Sequence, residues 1–223
     1  MARRAVLALL ALGLIQAVHP GAAMAAGRPL FRQASLDTEK ASADTRRLAA
    51  WVVATGDNQG LPFLIVDKVA ARVFAFNGAG LLGGTAPVLL GAQPGDDMVP
   101  GLADRPLSRI GPSERVTPAG RFVAAPGANL AGKDILWIDY DAAISLHPVV
   151  VGPPSERRGQ RLASPTALDN RISFGCINVP PAFYDLVVRG LFAATTGVVY
   201  ILPETRSLEV VFFPAAIPTV PGR

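Results

Sequence analysis

Arg171-Ile-Ser-Phe-Gly-Cys-Ile-Asn-Val-Pro180 holds the one cysteine of this 223-residue chain. Gly175 permits a sharp turn just before the thiol, Ser173 and Asn178 flank it at polar positions, and Pro180-Pro181 opens a helical pattern that runs on to Phe192. A free cysteine is most often a small buried hydrophobe and inert. The alternative is a cysteine on a turn at the end of a strand, facing a cleft, and this local setting favours it. A thiol nucleophile needs a base to make thiolate and donors to hold an oxyanion. The chain has two histidines, His19 and His147, and His19 falls in the leader described next. His147 is therefore the imidazole left to serve Cys176.

Arg3 and Arg4 precede an apolar run over residues 5–18, and Ala23-Met24-Ala25 supplies a small-residue cleavage site, the pattern of a signal peptide over residues 1–25. The run is too short to span a bilayer comfortably, which predicts export to the periplasm; an uncleaved anchor is the other reading of the same run. Cleavage after Ala25 removes Arg3 and Arg4, and the net charge falls from +4 to +2. So small an excess gives no case for nucleic acid. In an oxidising compartment a lone cysteine makes no internal disulfide, which leaves it buried, reactive or paired between chains. After the leader no apolar stretch is long enough to cross a membrane, and no internal repeat or heptad run appears.

Outward from the cysteine, the pattern predicts a β-rich domain. Residues 42–55 read as a helix, with Leu48, Trp51, Val52 and Thr55 on one face and Gly56 as its stop, within an N-terminal helical extension over 26–60. Residues 61–66, 72–76 and 81–90 read as strands of a meander, with Asn77-Gly-Ala-Gly80 as a turn. Residues 92–113 read as an irregular loop, long enough to be functional. Strands return at 120–124, 135–140 and 144–149, the last carrying His147. Residues 152–169 read as a polar loop over the site, 181–192 as a helix and 198–202 as a final strand before a Pro-containing tail over 204–223. The expected class is mainly antiparallel β with peripheral helices.

Ser173-Phe-Gly-Cys-Ile-Asn178 resembles the Ser/Thr-His-Gly-Cys-hydrophobic-Arg/Asn signature of the L,D-transpeptidase (YkuD-like) catalytic domain. Phe63-Leu-Ile-Val-Asp-Lys68, Arg72-Val-Phe-Ala-Phe76 and Thr117-Pro-Ala-Gly-Arg-Phe122 stand in the order that family has them, followed by an upstream histidine, so the resemblance covers residues 61–203. It implies a β-rich sandwich or barrel with a few peripheral helices. The implied enzyme attacks peptidoglycan stem peptides through a Cys176 thioester and passes the acyl group to an amine, or to water in a peptidase. Carried over, Cys176 is the nucleophile, Gly175 and the Cys176 amide lie where the oxyanion is held, Ser173 supports the loop, Asn178 matches the last polar position and is a substrate-binding candidate, and His147 matches the upstream histidine.

The family's motif has a histidine two residues before the cysteine, and here that residue is Phe174, which takes no proton. Pro148 also stands where a glycine is usual, and 25 residues separate His147 from Ser173, more than is common. Two readings follow: His147 acts as the base from an adjacent strand, or the domain has lost catalysis and binds wall peptides. The retained Ser173, Gly175, Cys176 and Asn178 favour the first. A histidine on an apolar strand is by itself more often a satisfied core or surface residue than a catalyst, with Pro148 merely ending the strand. Arg157, Arg158, Arg161 and Arg171 are either a solvated charge run or carboxylate forks, and Arg171, five residues before the thiol, is the expected substrate-binding one. One Cys and one His make no metal-ligand set, no phosphate loop occurs, and no cofactor or metal is expected.

Overall fold

The computed structural model of the chain describes residues 39–213, so the expected signal peptide and the end of the expected tail lie outside the described residues. The first helix, α1 (Ala43–Thr55), begins where Ser42 Oγ accepts the Thr45 amide at 3.1 Å and ends at Gly56, whose φ of 68° is a left-handed stop. Ten strands follow: β1 (Phe63–Asp67), β2 (Arg72–Phe76), β3 (Leu82–Pro87), β4 (Leu90–Gly91), β5 (Gly120–Ala128), β6 (Asp134–Asp139), β7 (Ile144–Pro148), β8 (Arg171–Ser173), β9 (Ile177–Val179) and β10 (Gly197–Ile201).

Eight of them form one sheet in the order β3-β2-β1-β10-β5-β6-β7-β9, and β4 pairs with β8. Within the large sheet neighbours are antiparallel except β1 with β10 and β7 with β9, and the separate β4–β8 pair is parallel, so the mainly antiparallel β class expected from the sequence is the class observed. Both exceptions seat a strand from the second half of the chain beside one formed earlier, which a meander does not provide. The sheet nearly closes. Leu89, just past β3 at one end of the order, exchanges backbone hydrogen bonds of 2.8 and 2.9 Å with Asn178 of β9 at the other end. That closure holds the cysteine turn between two edges that would otherwise lie open.

Period-two alternation sorts the side chains. Leu64, Val66, Val73, Ala75, Val199 and Ile201 enter one core, while Phe63, Ile65, Phe74, Phe76, Val198 and Tyr200, the alternate residues of the same strands, enter the other. The continuous apolar run of β1 is thus a strand buried on both faces. The second core is roofed by Leu48 and Val52 of α1, and Phe63 stacks on its strand partner Phe76 at 4.5 Å. The N-terminal helix therefore completes the core of the β-domain.

The expected helix over 181–192 is present as α3 (Pro181–Phe183), a π turn (Tyr184–Val188) and α4 (Arg189–Phe192), which send Phe183, Tyr184, Val188 and Phe192 into the first core. The residues read as a loop over 152–169 instead contain a 3-10 turn (Pro154–Glu156) and the short helix α2 (Arg158–Leu162), because Arg161 Nε closes that turn on the Glu156 carbonyl at 2.9 Å. The tail carries α5 (Leu208–Phe212), capped by Ser207. Among the described residues no helix is long and apolar enough to cross a membrane.

Candidate active site

The site is a consequence of strand alternation. Ile144 and Leu146 of β7, with Ile177 and Val179 of β9, enter the first core, so Ser145, His147, Cys176 and Asn178 share the opposite face. The parallel register sets His147 beside Asn178. Ser145 Oγ lies 3.5 Å from Cys176 Sγ, and the thiol donates to the Ala143 carbonyl at 3.4 Å.

His147 is held at both ring nitrogens. Nδ1 lies 2.8 Å from the Pro148 carbonyl oxygen, which makes Nδ1–H the donor and leaves the Nε2 lone pair turned toward the site. Asn178 Nδ2 is 3.3 Å from Nε2, and Asn178 Oδ1 accepts Arg158 Nη1 at 3.0 Å. Pro148, for which ending the strand was one reading, supplies the acceptor that orients the imidazole. Asn178, expected to touch substrate, is buried and has His147 and Arg158 as its side-chain partners.

Burial on its own would push the Cys176 pKa up; the hydrogen bond and charge of His147, together with Ser145, outweigh it and hold the thiol below its ordinary range. Burial likewise disfavours an imidazolium at His147, yet the hydrogen bond and charge of Cys176 and the Pro148 carbonyl raise its pKa above the usual histidine range. The shifts run in opposite directions because each group stabilises the charged form of the other.

The turn bearing the thiol is tied down from three sides. Ser173 Oγ donates to the Cys176 carbonyl at 2.6 Å and accepts the Gly175 amide at 3.1 Å, the loop support expected of it. Gly175 adopts φ 132°, and a Cβ there would meet the Val116 carbonyl oxygen at 2.8 Å and Ile144 Cδ1 at 2.9 Å, so no other residue fits. Thr117 Oγ1 donates to the Gly175 carbonyl at 2.8 Å and accepts the Gly91 amide at 2.9 Å. With the Gly175 amide committed to Ser173, the Cys176 amide is what remains of the expected oxyanion pair.

Arg171 is not beside the thiol as a free fork. It forms an ion pair with Glu204 and donates through Nη2 to the Lys68 carbonyl at 3.1 Å, with 11% of its side chain exposed. Glu204 in turn lies 3.3 Å from Lys68 Nζ, which also meets Asp96 Oδ1 at 2.8 Å and the Thr117 carbonyl at 2.9 Å. Lys68 and Asp96 have fully buried side chains. The Arg171 guanidinium expected to bind substrate is thus engaged by a carboxylate of the chain itself. Phe174 lies under another arginine, Arg115, whose guanidinium carbon is 4.1 Å from the ring centre.

The sequence singles out neither Ser145 nor the positioning roles of Thr117, which appears only as part of a motif, and Arg158, which appears only within an arginine run. Ser145 was legible in principle, standing one strand period before His147; the other two depend on pairings across 58 and 20 residues. Among the described residues no group of three or more His, Cys, Asp or Glu is placed to hold a metal.

No protein-family model matches the chain, and no curated protein matches it. Solved structures give partial overlaps. An L,D-transpeptidase in complex with imipenem matches at 15% identity over 63% of this chain and 58% of that one, with a TM-score of 0.33. The L,D-transpeptidase from Mycobacterium smegmatis matches at 14% over 63% and 58%, TM-score 0.34, and the catalytic domain of the E. faecium enzyme at 18% over 63% and 95%, TM-score 0.32. The chain spans little more than half the length of the first two. Overlaps of this extent leave the case to the residues of the site.

Proposed function

We propose that the protein is an exported cysteine acyltransferase of the L,D-transpeptidase type that works on peptidoglycan stem peptides. The observation that supports this most is the shared face that brings Cys176, Ser145, His147 and Asn178 together, beside a turn fixed by Ser173, Gly175 and Thr117.

In the proposed reaction the Cys176 thiolate attacks the carbonyl carbon of the diaminopimelate–D-alanine amide. The Cys176 amide receives the oxyanion. His147 Nε2, protonated when the thiolate forms, returns its proton to the departing alanine nitrogen as the C–N bond breaks, leaving a thioester. An acceptor amine then attacks that carbonyl, His147 takes the amine's proton, and the thiolate leaves. Phe174 is no obstacle in this scheme, because the proton travels on His147 alone.

The test is release of D-alanine from a stem tetrapeptide, followed with and without an acceptor amine. Stoichiometric or catalytic release that disappears in Cys176→Ser is the expected result. No release from any stem peptide would leave the wall-binding module, the reading that Phe174 favours.

A further inference from the structure

We infer that Arg115, held on the ring of Phe174, is a carboxylate-binding residue for the peptide that the nucleophile turn receives. The inference rests on the stem-peptide reading above for its ligand class, and on geometry for its residue.

Four arginines near the site offer forks in the sequence, and three of them are already engaged. Arg171 is paired with Glu204, Arg158 donates to Glu156 and Asn178, and Arg161 donates to the carbonyls of Glu156 and Asp169. Arg157 is the exposed left-handed residue that starts α2. Arg115 differs from all four. Its Nε and Nη2 reach the Ile110 carbonyl at 3.4 and 3.2 Å, and among the described residues no carboxylate lies within ion-pair distance of it. The adjacent Glu114 is taken by Arg105 Nη2 at 2.9 Å and by the Gly111 amide at 2.9 Å. Arg115 thus keeps Nη1 for a ligand, and it is half-exposed.

Its placement is fixed relative to the thiol. The next residue, Val116, sets its carbonyl against Gly175, and the one after, Thr117, is hydrogen-bonded to the Gly175 carbonyl. The guanidinium lies over Phe174, two residues before Cys176. An aromatic face holds the plane of an arginine while its N–H edge stays open to a planar carboxylate. Phe174 is accordingly a platform for a cation rather than a vacancy left by a proton carrier. A stem tetrapeptide carries carboxylates at its C-terminus and on diaminopimelate, and either fits the edge that Arg115 presents.

The experiment uses Cys176→Ser, which binds without forming a thioester, and calorimetry with three tetrapeptides: unmodified, C-terminally amidated, and amidated on the diaminopimelate carboxyl. One amide is expected to bind at least about tenfold more weakly than the unmodified peptide, the scale of a lost charge-assisted hydrogen bond, and it identifies the carboxylate. Adding Arg115→Ala should abolish that difference, Arg115→Lys should restore part of it, and Phe174→Leu should reduce it. Phe174→Leu decides if Arg115→Ala does not fold. A preference unchanged in Arg115→Ala or Phe174→Leu overturns the inference, as does equal binding of all three peptides, or no binding at millimolar concentration. Carboxylate preference dependent on Arg115 in a wild-type protein that releases no D-alanine would instead remove the enzyme reading and leave this one standing.

Discussion

At the scale of the residue, what matters at Cys176 is which of two opposing effects wins. Burial disfavours thiolate, and one imidazole, fixed by the Pro148 carbonyl and Asn178, overcomes it with the help of Ser145. Removing that imidazole leaves Ser145 alone against the penalty. In His147→Ala the pH midpoint for iodoacetamide alkylation of Cys176 should therefore move upward, and acylation by a stem peptide should fall by about 10²–10⁴. The wild-type profile follows from the same signs: thiolate is present above the lowered thiol pKa, and the imidazolium needed by the leaving amine is lost as pH rises through the raised histidine pKa. Acylation should peak between the two, and a rate that climbs monotonically into the ordinary thiol range would contradict the pair. Arg171→Ala is expected to cost about 1.5–3 kcal/mol of stability by leaving Glu204 with Lys68 as its one cationic partner, while KM for the donor peptide stays near wild type. Chemical denaturation and steady-state kinetics check the two halves. That Cys176 and His147 share a face was legible as an expectation, because residue type alone restricts the candidates. Sequence reading did not find the Arg171–Glu204 pair, because a guanidinium serves a substrate or a neighbouring Glu equally well, and Glu204 lies 33 positions away.

At the scale of the element, the strands with side chains in both cores were legible as apolar runs, and β7 as an alternating one. β8 and β9, three residues each, were not, since so short a strand gives period two nothing to repeat. They exist because their neighbours exist: β9 is clasped between β7 and Leu89, and β8 by β4. Thr117 is the fastening between these pieces and the start of β5, joining Gly91 to Gly175 through one hydroxyl. Thr117→Val keeps the shape and loses the oxygen, leaving a buried amide and a buried carbonyl without that partner. The expected outcome is a loss of about 1–3 kcal/mol in unfolding free energy and a fall in kcat with little change in KM. A fall in KM-dependent binding alone would place Thr117 on the substrate instead of behind the turn.

At the scale of the whole molecule, one buried charge cluster connects the sheet to the site. Lys68 at the end of β1 meets Asp96 and Glu204; Asp96 also accepts the Glu204, Thr205 and Arg206 amides beyond β10, and Glu204 continues to Arg171 of β8. Burial opposes an Asp96 charge, but Lys68, the Thr205 hydroxyl and those backbone donors hold its pKa well below the usual carboxylate range. A depressed folded-state pKa contributes stability above the ordinary value near 4, and that contribution drains away as pH falls below it. Acid unfolding should therefore set in below about pH 4, and Lys68→Met, which takes the buried cation from two carboxylates, should cost about 3–5 kcal/mol and flatten the acid limb. None of this cluster was legible in the sequence, because its members come from four separated segments and only closure of the sheet unites them. The central claim is that this closed frame delivers an activated thiol to a stem peptide. The most direct measurement is the intact mass of the protein after exposure to a stem tetrapeptide, with the modified residue mapped. Wild type should gain the donor less its terminal alanine, on Cys176 alone, and His147→Ala should gain almost nothing in the same time. Full acylation of His147→Ala, or no adduct on wild type with any stem peptide, would contradict it.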